Sequence, residues 1–315
     1  MGYFEYVINR IIAAVFVLIS ASIVIFSILR LTPGDPAALM LGVDATESAI
    51  EYQRRRLGLD LPVWEQYLHW VGQILTLNMG TSILTGTSIQ DLLFIRYPRS
   101  FILAMASMAI ATLIAVPLGV IGALNRNTKI DYAALLFSQF GISLPNFVLG
   151  IYFIMIFAAW FNVLPSSGYV SPFDSVTGFI AHITLPALTI GIINAAIITR
   201  FVRSEMLEQL HNDYVRTARA MGHPEKRVIR KYTLRNALIP TLTVLGLQFG
   251  SQVAGLVVVE QVFSFPGMGL LILDGLFARD YPVLQIGLLV IAATYIVVNL
   301  LVDLLYGYLD PRIKY

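Results

Sequence analysis

Apolar residues along this chain fall in long blocks separated by polar segments. The blocks have about the length that a helix needs to cross a bilayer core of roughly 30 Å. A helix also satisfies its own backbone hydrogen bonds in lipid. The pattern therefore predicts six membrane-spanning helices, at residues 11–30, 100–124, 132–163, 183–203, 239–262 and 283–308.

The third predicted span is the longest of the six. At 1.5 Å per residue, its length would reach about 48 Å, which is too long for one straight crossing. Gly141, Pro145 and Gly150 interrupt the apolar run. The segment is therefore either one kinked helix or two short ones.

Composition agrees with a polytopic membrane protein. Only 13% of the residues are charged and 57% are hydrophobic, whereas soluble domains have roughly 25% charged residues. The chain has no cysteine, which excludes disulfides, thiolate metal sites and thiol nucleophiles. The first apolar run, from Ile11 to Leu29, exceeds the roughly 7–15 residues of a signal-peptide core, so we expect an uncleaved membrane helix.

Lysine and arginine indicate the orientation, because they concentrate in the cytoplasmic loops of membrane proteins. With six spans and both termini in the cytoplasm, 14 of the 21 Lys and Arg residues fall in cytoplasmic segments. The predicted outside segment 164–182 has none. Most of the remaining ones lie in the long outside segment at about 32–99, which exceeds the length over which this charge rule operates. We therefore predict a multi-pass protein with both termini in the cytoplasm.

The long outside segment contains aromatic and apolar residues at near-helical spacing, Trp64, Tyr67, Leu68 and Trp70. They predict a short helix. This helix either lies on the outer membrane surface with its aromatic rings at the headgroup level or packs as part of an ordinary loop.

Positive charge is concentrated between the fourth and fifth predicted spans, in the segment DYVRTARAMGHPEKRVIRKYTLRNALIP at 213–240. Asp213 is a reasonable N-cap, and Gly222 suits the left-handed residue that ends a helix. Pro224 can begin the next helix. We therefore predict two short helices joined by a glycine turn.

Two interpretations of this basic loop are open. Tyr214, Ala218 and Met221 would share one face of the first helix. Small residues such as Ala218 and Ala220, next to Gly222, allow another protein to come close, while arginines donate hydrogen bonds to its carboxylates. The alternative is that the arginines hold anionic lipid headgroups. Aromatic residues are not interleaved with the charge, which argues against nucleic acid.

The segments YVRTARAMG and LRNALIP resemble the coupling-helix region of ABC-importer permeases, in the version found in the dipeptide/oligopeptide/nickel permease family. Arg216 stands where the broader pattern usually has glutamate, and Leu238-Ile239-Pro240 replaces a downstream I-x-L-P that lies nearer in that pattern. The resemblance covers nearly the whole chain, because six more segments follow the family in order: LTPGDPAALMLG, RRLGLDLPVWEQYLHW, LNMGTS, VVVEQVFSFPGMG, RDYPVLQ and LVDLLYGYLDPRIKY.

This resemblance implies an all-α polytopic membrane protein with six transmembrane helices, a MetI-like type-1 ABC permease fold and a cytoplasmic coupling helix. It divides the chain into an N-terminal transmembrane helix with a long extracytoplasmic segment (1–95), a MetI-like core (96–308) and a cytoplasmic C-terminal tail (309–315). The residues that it implies for contact with an ATPase are Tyr214, Ala218, Arg219, Ala220, Gly222, Arg235 and Asn236.

A permease of this family implies an ATP-driven importer that works by alternating access. The chain contains no G-x-x-x-x-G-K-[ST] motif, so we expect no P-loop binding of ATP, no enzyme activity and no cofactor in this chain. ATP and Mg would be bound by two partner P-loop ATPase subunits or domains.

The resemblance also implies a second homologous permease as the heterodimer partner, an extracytoplasmic solute-binding protein and a lipid environment. The location would be a bacterial or archaeal plasma membrane, which is the inner membrane in a Gram-negative cell. The family favours di- or oligopeptides as the solute, and glutathione, nickel chelates and other small solutes stay open.

Polar residues inside the predicted spans are candidates for the solute pathway, because such residues usually face the bundle interior or a water-filled cavity. The alternative is hydrogen bonding between helices. Glu260 could meet substrate amines or cap the structure locally, and Asn299 and Asp303 are expected to tie helices together. The pathway candidates are Gln248, Ser251, Gln252, Asn194, Asn146 and Glu260.

Other functional classes find less support. The histidines are scattered, with His69 and His182 predicted outside and His211 and His223 inside, so we expect no metal site. An ion-coupled secondary transporter would have buried ionisable groups, and we expect none in the central spans. That class remains the alternative to an ABC permease, together with a purely structural membrane subunit.

Overall fold

The computed structural model describes residues 3–31, 37–38, 45–56 and 58–309. Within these residues the chain is predominantly helical, and an isolated bridge between Thr81 and Ser88 is the only strand-like pairing. Two helical segments adopt π-helical geometry, at Ile154–Trp160 and Val228–Leu234. The α-helices are, in chain order, α1 (Tyr3–Leu31), α2 (Glu47–Arg56), α3 (Val63–Leu75), α4 (Ile89–Leu124), α5 (Lys129–Ser143), α6 (Asn146–Phe153), α7 (Val176–Leu210), α8 (Asp213–Ala220), α9 (Glu225–Arg227), α10 (Arg235–Gly255), α11 (Val257–Val262), α12 (Met268–Phe277) and α13 (Tyr281–Leu309).

Four helices, α1, α4, α7 and α13, are long and apolar enough to cross a membrane. Helices α5 and α6, with the π-helical extension of α6, satisfy the same requirement together, which gives up to five spans if this bent pair is one span. A helical, polytopic membrane protein is therefore confirmed. The four long helices overlap four of the predicted spans, at 11–30, 100–124, 183–203 and 283–308.

The predicted fifth span, 239–262, corresponds to most of α10 followed by α11. Neither helix is long and apolar enough to count as a span by itself. Polar residues such as Thr241, Gln248 and Gln252 reduce the hydropathy of α10. Thr241 and Gln252 are buried, which is where a membrane bundle places its polar groups.

The predicted third span is broken into two helices. Helices α5 and α6 meet at an angle of 103°, and Pro145 stands in an extended conformation directly before α6. Proline has no backbone N–H, and it moves the preceding residue, Leu144, out of the helical region. Of the two alternatives for this span, the structure therefore has two short helices.

The centre of the bundle is the contact between α4 and α7, which pack along their length. A Cβ atom at Gly119 would lie 2.7 Å from Cβ of Val202 and 2.9 Å from the carbonyl oxygen of Thr199. On α7, Gly191 allows the same close approach to Ile110. Small residues of this kind let helix backbones meet in lipid. Fully buried alanines fill much of the contact: Ala104, Ala111, Ala115, Ala195 and Ala196.

The first and last helices of the chain pack on each other. Arg10 of α1 forms a salt bridge of 3.0 Å with Asp303 of α13, and the Tyr6 hydroxyl donates to the carbonyl oxygen of Asp303 at 3.1 Å. The expectation that Asp303 ties helices together is confirmed. The predicted C-terminal tail lies outside the described residues, except for Leu309.

The helix predicted in the long outside segment is α3. Tyr67 and Trp70 pack against Phe26 of α1, with ring centroids 5.5 and 5.7 Å apart. Trp64 and Leu68 are 63% and 59% exposed. Of the four residues that predicted this helix, Tyr67 and Trp70 therefore anchor α3 to α1, and Trp64 and Leu68 face outward.

Candidate solute pathway and coupling loop

One cavity lies between α6, α7 and α10 and has a volume of about 170 Å³. Four of the predicted pathway residues line it, Asn146 from α6, Asn194 from α7, and Ser251 and Gln252 from α10. The tertiary structure therefore brings together polar residues from distant parts of the sequence. The rest of the wall consists of Ile190, Ile193, Gly255 and Leu256.

Asn194 and Gln252 form a hydrogen-bonded wall of this cavity. Asn194 Nδ2 donates to Gln252 Oε1 at 2.5 Å, and Gln252 Nε2 donates to the carbonyl oxygen of Ala104 at 3.0 Å. Asn194 is 9% exposed and Gln252 is 7% exposed. These bonds join α7, α10 and α4, so Gln252 both lines the cavity and ties helices together.

Asn146 and Ser251 are more accessible than these two amides. Ser251 Oγ donates to the carbonyl oxygen of Gln248 at 3.0 Å, while Gln248 itself is absent from the cavity wall. No hydrogen bond between described residues involves the Asn146 amide. A Cβ atom at Gly255 would meet no atom within 4 Å, so the cavity has free space on this side.

Glu260 lies apart from the cavity, beside the first turn of α12. Ser100 Oγ donates to Glu260 Oε1 at 2.5 Å, and the Leu270 N–H donates to Oε2 at 2.9 Å. Ser100 Oγ in turn accepts from the Met268 N–H at 2.7 Å. A carboxylate suits this place because the first N–H groups of a helix have no partner within it. The structure therefore places Glu260 as a local cap.

Glu260 is also fully buried. The expectation that the central spans hold no buried ionisable group is therefore wrong at this residue, which belongs to the predicted span 239–262. Its burial is tolerated because its two carboxylate oxygens accept hydrogen bonds from neighbours, and a buried charge without such partners is costly.

A second buried group, the pair of Asp131 and Arg203, was not apparent in the sequence. The Arg203 guanidinium donates to both carboxylate oxygens of Asp131 at 2.5 and 2.8 Å. The Asn127 N–H donates to the same carboxylate at 2.9 Å. Both charged residues stand at the edges of apolar blocks, where charged side chains are ordinarily exposed, so the hydropathy pattern carried no signal of their pairing.

The basic loop forms α8 and a second helical segment, joined at Gly222. The Gly222 N–H donates to the Arg219 carbonyl at 2.9 Å, and the His223 N–H donates to the Ala218 carbonyl at 3.3 Å. These bonds form a Schellman motif, which requires a left-handed residue. Gly222 fills this place with φ +77°, and the predicted glycine turn is therefore confirmed.

Helix α8 differs from the prediction at both ends. Asp213 is its first residue and not its N-cap. Met221 follows the last residue of α8 and is 64% exposed, because the helical periodicity does not extend to it. The buried face of α8 consists instead of Val215 and Ala218, which are 0% and 1% exposed.

The burial of Ala218 changes which residues of the loop can meet a partner. Ala218 lies on the buried face of α8 and packs against Val228, so in this structure it supports the loop from inside. Arg219, Ala220 and Gly222 are exposed.

A salt bridge spans the glycine turn. The Arg219 guanidinium donates to the two carboxylate oxygens of Glu225 at 2.7 and 3.2 Å. These hydrogen bonds hold the pKa of the Glu225 carboxyl below its ordinary value. The pair links the end of α8 to the start of α9, and both side chains are substantially exposed, so its contribution to stability is small.

The other predicted coupling residues surround this loop. The Tyr214 hydroxyl donates to Gln209 Oε1 at 2.5 Å, which ties α8 to the end of α7. Asn236 Nδ2 donates to the carbonyl oxygen of Tyr232 at 3.0 Å, which joins the first turn of α10 to the π-helical segment before it. Arg235, at the start of α10, is exposed.

Comparisons with known proteins cover almost the entire chain. The family described as "Binding-protein-dependent transport system inner membrane component" matches residues 115–315. The family described as "Binding-prot-dependent transport system membrane comp, N-term" matches residues 3–104. The two matches follow each other along the chain as the parts of one membrane protein.

Full-length relatives are found among curated proteins. The dipeptide transport system permease protein DppB of Alkalihalophilus pseudofirmus is 39% identical over 98% of this chain and 99% of that protein. The oligopeptide transport system permease protein AppB of Bacillus subtilis is 38% identical, over 98% and 99%. The dipeptide transport system permease protein DppB of Escherichia coli K12 is 36% identical, over 99% of each chain.

A solved structure shares the fold. The chain in a crystal structure of an amino acid ABC transporter with histidines matches with a TM-score of 0.50 and 16% identity, over 71% of this chain and 94% of that one.

The apolar helices agree with a multi-pass protein of the plasma membrane. Together with the family match over residues 115–315 and the full-length relatives, these findings show that the chain belongs to the inner membrane components of binding-protein-dependent transport systems.

Proposed function

We propose that this chain is a permease subunit of an ATP-driven importer whose cargo is a di- or oligopeptide. The names of its full-length relatives, which include dipeptide and oligopeptide permeases, support this cargo class. The observation that carries the transport role is the convergence of Asn146, Asn194, Ser251 and Gln252 on one cavity. Polar groups in a membrane bundle commonly mark a solute path.

The proposed topology has six spans, with the α5–α6 pair and the α10–α11 pair each forming one of them. Both termini and α8 would then lie in the cytoplasm, and α3 and α12 would lie outside. The concentration of Lys and Arg in residues 213–240 supports this orientation. Residues 1–95 would form the N-terminal helix and extracytoplasmic segment, 96–308 the MetI-like core and 309–315 the cytoplasmic tail.

A second, homologous permease would complete the solute path. The cavity of about 170 Å³ is smaller than the roughly 300–1,000 Å³ of small-molecule sites. The free space beside Gly255 suggests where the path continues beyond this chain. A heterodimer would place the facing wall on the partner, and an extracytoplasmic binding protein would deliver the peptide to it.

Coupling to ATP would pass through α8. Two partner ATPases would bind ATP and Mg, and this chain would hold no cofactor. Helix α8 follows α7 directly, and the segment Val228–Leu234, which packs beneath α8, continues into α10. A displacement of α8 would therefore reach two of the three helices that line the cavity, which is what alternating access requires.

The test is to purify this chain from its native membrane in a gentle detergent and to identify every accompanying protein by mass spectrometry. The same preparation is then made with Gly222→Arg, which places a bulky charge at the exposed turn and strains its left-handed backbone. We expect a second permease and P-loop ATPases with the wild-type chain, and we expect the ATPases to be lost or weakened with the variant.

Two other outcomes would contradict different parts of this proposal. If the chain purifies alone and moves peptide into vesicles without ATP, the proposal is wrong, and an ion-coupled secondary transporter would be the function to pursue. Uptake of a nickel chelate but of no peptide would keep the ABC importer and reject the proposed cargo.

A further inference from the structure

The cavity between α6, α7 and α10 is polar without being charged. None of the described residues that line it is Asp, Glu, Lys or Arg, and its polar groups are three amides and one hydroxyl. Amides and hydroxyls both donate and accept hydrogen bonds. Such a wall can pair with N–H, C=O, ammonium and carboxylate groups, whereas a fixed charge attracts one sign and repels the other.

The polar groups of the wall differ in their freedom. Asn194 and Gln252 are oriented by their mutual bond and by the bond to Ala104, so they form a fixed part of the wall. The Asn146 amide, at the break between α5 and α6, has no such bond within the described residues. Ser251 is exposed and bonds only to Gln248 of its own helix.

We infer that this cavity receives peptides through neutral dipoles, with Asn146 and Ser251 as the groups that contact the cargo, and that it therefore passes peptides regardless of their side-chain charge. Gly255 provides the space in which the cargo side chain lies. This inference rests on the proposed function, because it takes the cavity to be part of a peptide path.

The chain offers a matched pair of glycines for the test. A Cβ atom at Gly255 or at Gly72 would meet no atom within 4 Å, and both glycines lie within helices, in α10 and α3. Gly255 lines the cavity, whereas Gly72 does not. A substitution at either place therefore has a similar direct steric cost. Gly255 ends α10 in a proposed span and faces the cavity, whereas Gly72 lies inside α3 in the proposed outside segment, so Gly72 controls for the added charge and not for its burial.

The experiment uses the complete transporter reconstituted in proteoliposomes, with the binding protein supplied saturated with Ala-Ala, Lys-Ala or Glu-Ala. ATP-dependent uptake of each peptide is measured. With the wild-type chain, we expect the rates for Lys-Ala and Glu-Ala to agree within about threefold. With Gly255→Asp, we expect the rate for Glu-Ala to fall relative to Lys-Ala by about tenfold, because the new carboxylate repels the acidic cargo at short range.

Further variants keep the result interpretable. Gly255→Lys should raise the uptake rate for Glu-Ala relative to Lys-Ala. Asn146→Asp should lower this ratio of rates, as Gly255→Asp does. Gly255→Ser and Gly72→Asp should leave the ratio at the wild-type value. The neutral serine variant controls for the loss of glycine in α10, so a misfolded aspartate variant cannot be mistaken for a change in charge preference.

Two outcomes would overturn the inference while leaving the proposed function intact. One is a wild-type rate that already differs more than tenfold between Lys-Ala and Glu-Ala at equal occupancy of the binding protein. The other is an unchanged ratio in assembled Gly255→Asp, Gly255→Lys and Asn146→Asp transporters. If the wild-type transporter takes up none of the three peptides, the proposed cargo class is wrong, and the inference falls with it.

Discussion

The Arg203 guanidinium holds the Asp131 carboxylate by two hydrogen bonds, at 2.5 and 2.8 Å. The side chain of Asp131 is 2% exposed and that of Arg203 is 17% exposed. The pair joins the first turn of α5 to the last part of α7. Since α7 is followed closely by α8, the pair fixes the helix from which the basic loop projects.

We expect Asp131→Ala to lower the stability of the chain substantially. The substitution leaves the Arg203 charge buried without its partner, and breaking a buried pair costs about 3–5 kcal/mol. The measurement is the thermal unfolding midpoint of the purified protein in detergent. The control is Glu51→Ala, whose partner Arg55 is 71% exposed, and which should cost less than about 1 kcal/mol. Equal midpoints for the two variants would contradict a structural role for Asp131.

Removal of the Glu260 side chain should also destabilise the chain. In Glu260→Ala, the Leu270 N–H and the Ser100 hydroxyl lose their acceptor, and an unsatisfied buried donor costs about 1–3 kcal/mol. Glu260→Gln keeps an acceptor oxygen and should lie between the alanine variant and the wild type in its unfolding midpoint. A normal midpoint in both variants, together with altered cargo preference in uptake assays, would show that Glu260 contacts the solute and is not a cap.

Met221 and Ala218 of the basic loop should respond differently to substitution. Met221 is an exposed apolar residue between Ala220 and Gly222, which are predicted to contact the ATPases. We therefore expect Met221→Ser to weaken association with the ATPases and to leave the unfolding midpoint unchanged. Ala218 lies on the buried face of α8, so Ala218→Leu should lower the midpoint, since overpacking costs about 1–3 kcal/mol. Quantitative co-purification and thermal unfolding distinguish the two effects. The assignment of Ala218 to packing would be wrong if its variant lost the ATPases at full stability.

The contact between α4 and α7 should tolerate no larger residue at Gly119. In Gly119→Ala the new methyl group meets Val202 and the backbone at Thr199, so we expect a loss of about 1–3 kcal/mol despite the higher helix propensity of alanine. Gly72→Ala, where the added atom meets nothing, should stabilise the chain by about 0.5–1 kcal/mol. Thermal unfolding of both variants checks the difference, and a stabilised Gly119→Ala protein would contradict the close packing described for these helices.

Local sequence signals predicted most of the helices of this protein. Apolar blocks of bilayer length gave the positions of α1, α4, α7 and α13, because each such block must form a helix in lipid. Pro145 predicted the break in the third block, because proline restricts its own φ angle and has no N–H. Gly222 predicted the turn after α8, because glycine readily adopts the left-handed conformation. The predicted fifth span is not confirmed, because the polar residues of α10 reduce its hydropathy and α11 is short.

Hydropathy along the chain identifies the polar residues inside each apolar block, and hence the candidates for the pathway. The packing of α6, α7 and α10 brings Asn146, Asn194, Ser251 and Gln252 to one cavity and leaves Gln248 out of its wall. The burial of Ala218 and the pairing of Asp131 with Arg203 were decided in the same way. The physical reason is that periodicity fixes the directions in which side chains point along one helix, whereas the neighbour that each side chain meets depends on helices from distant parts of the chain.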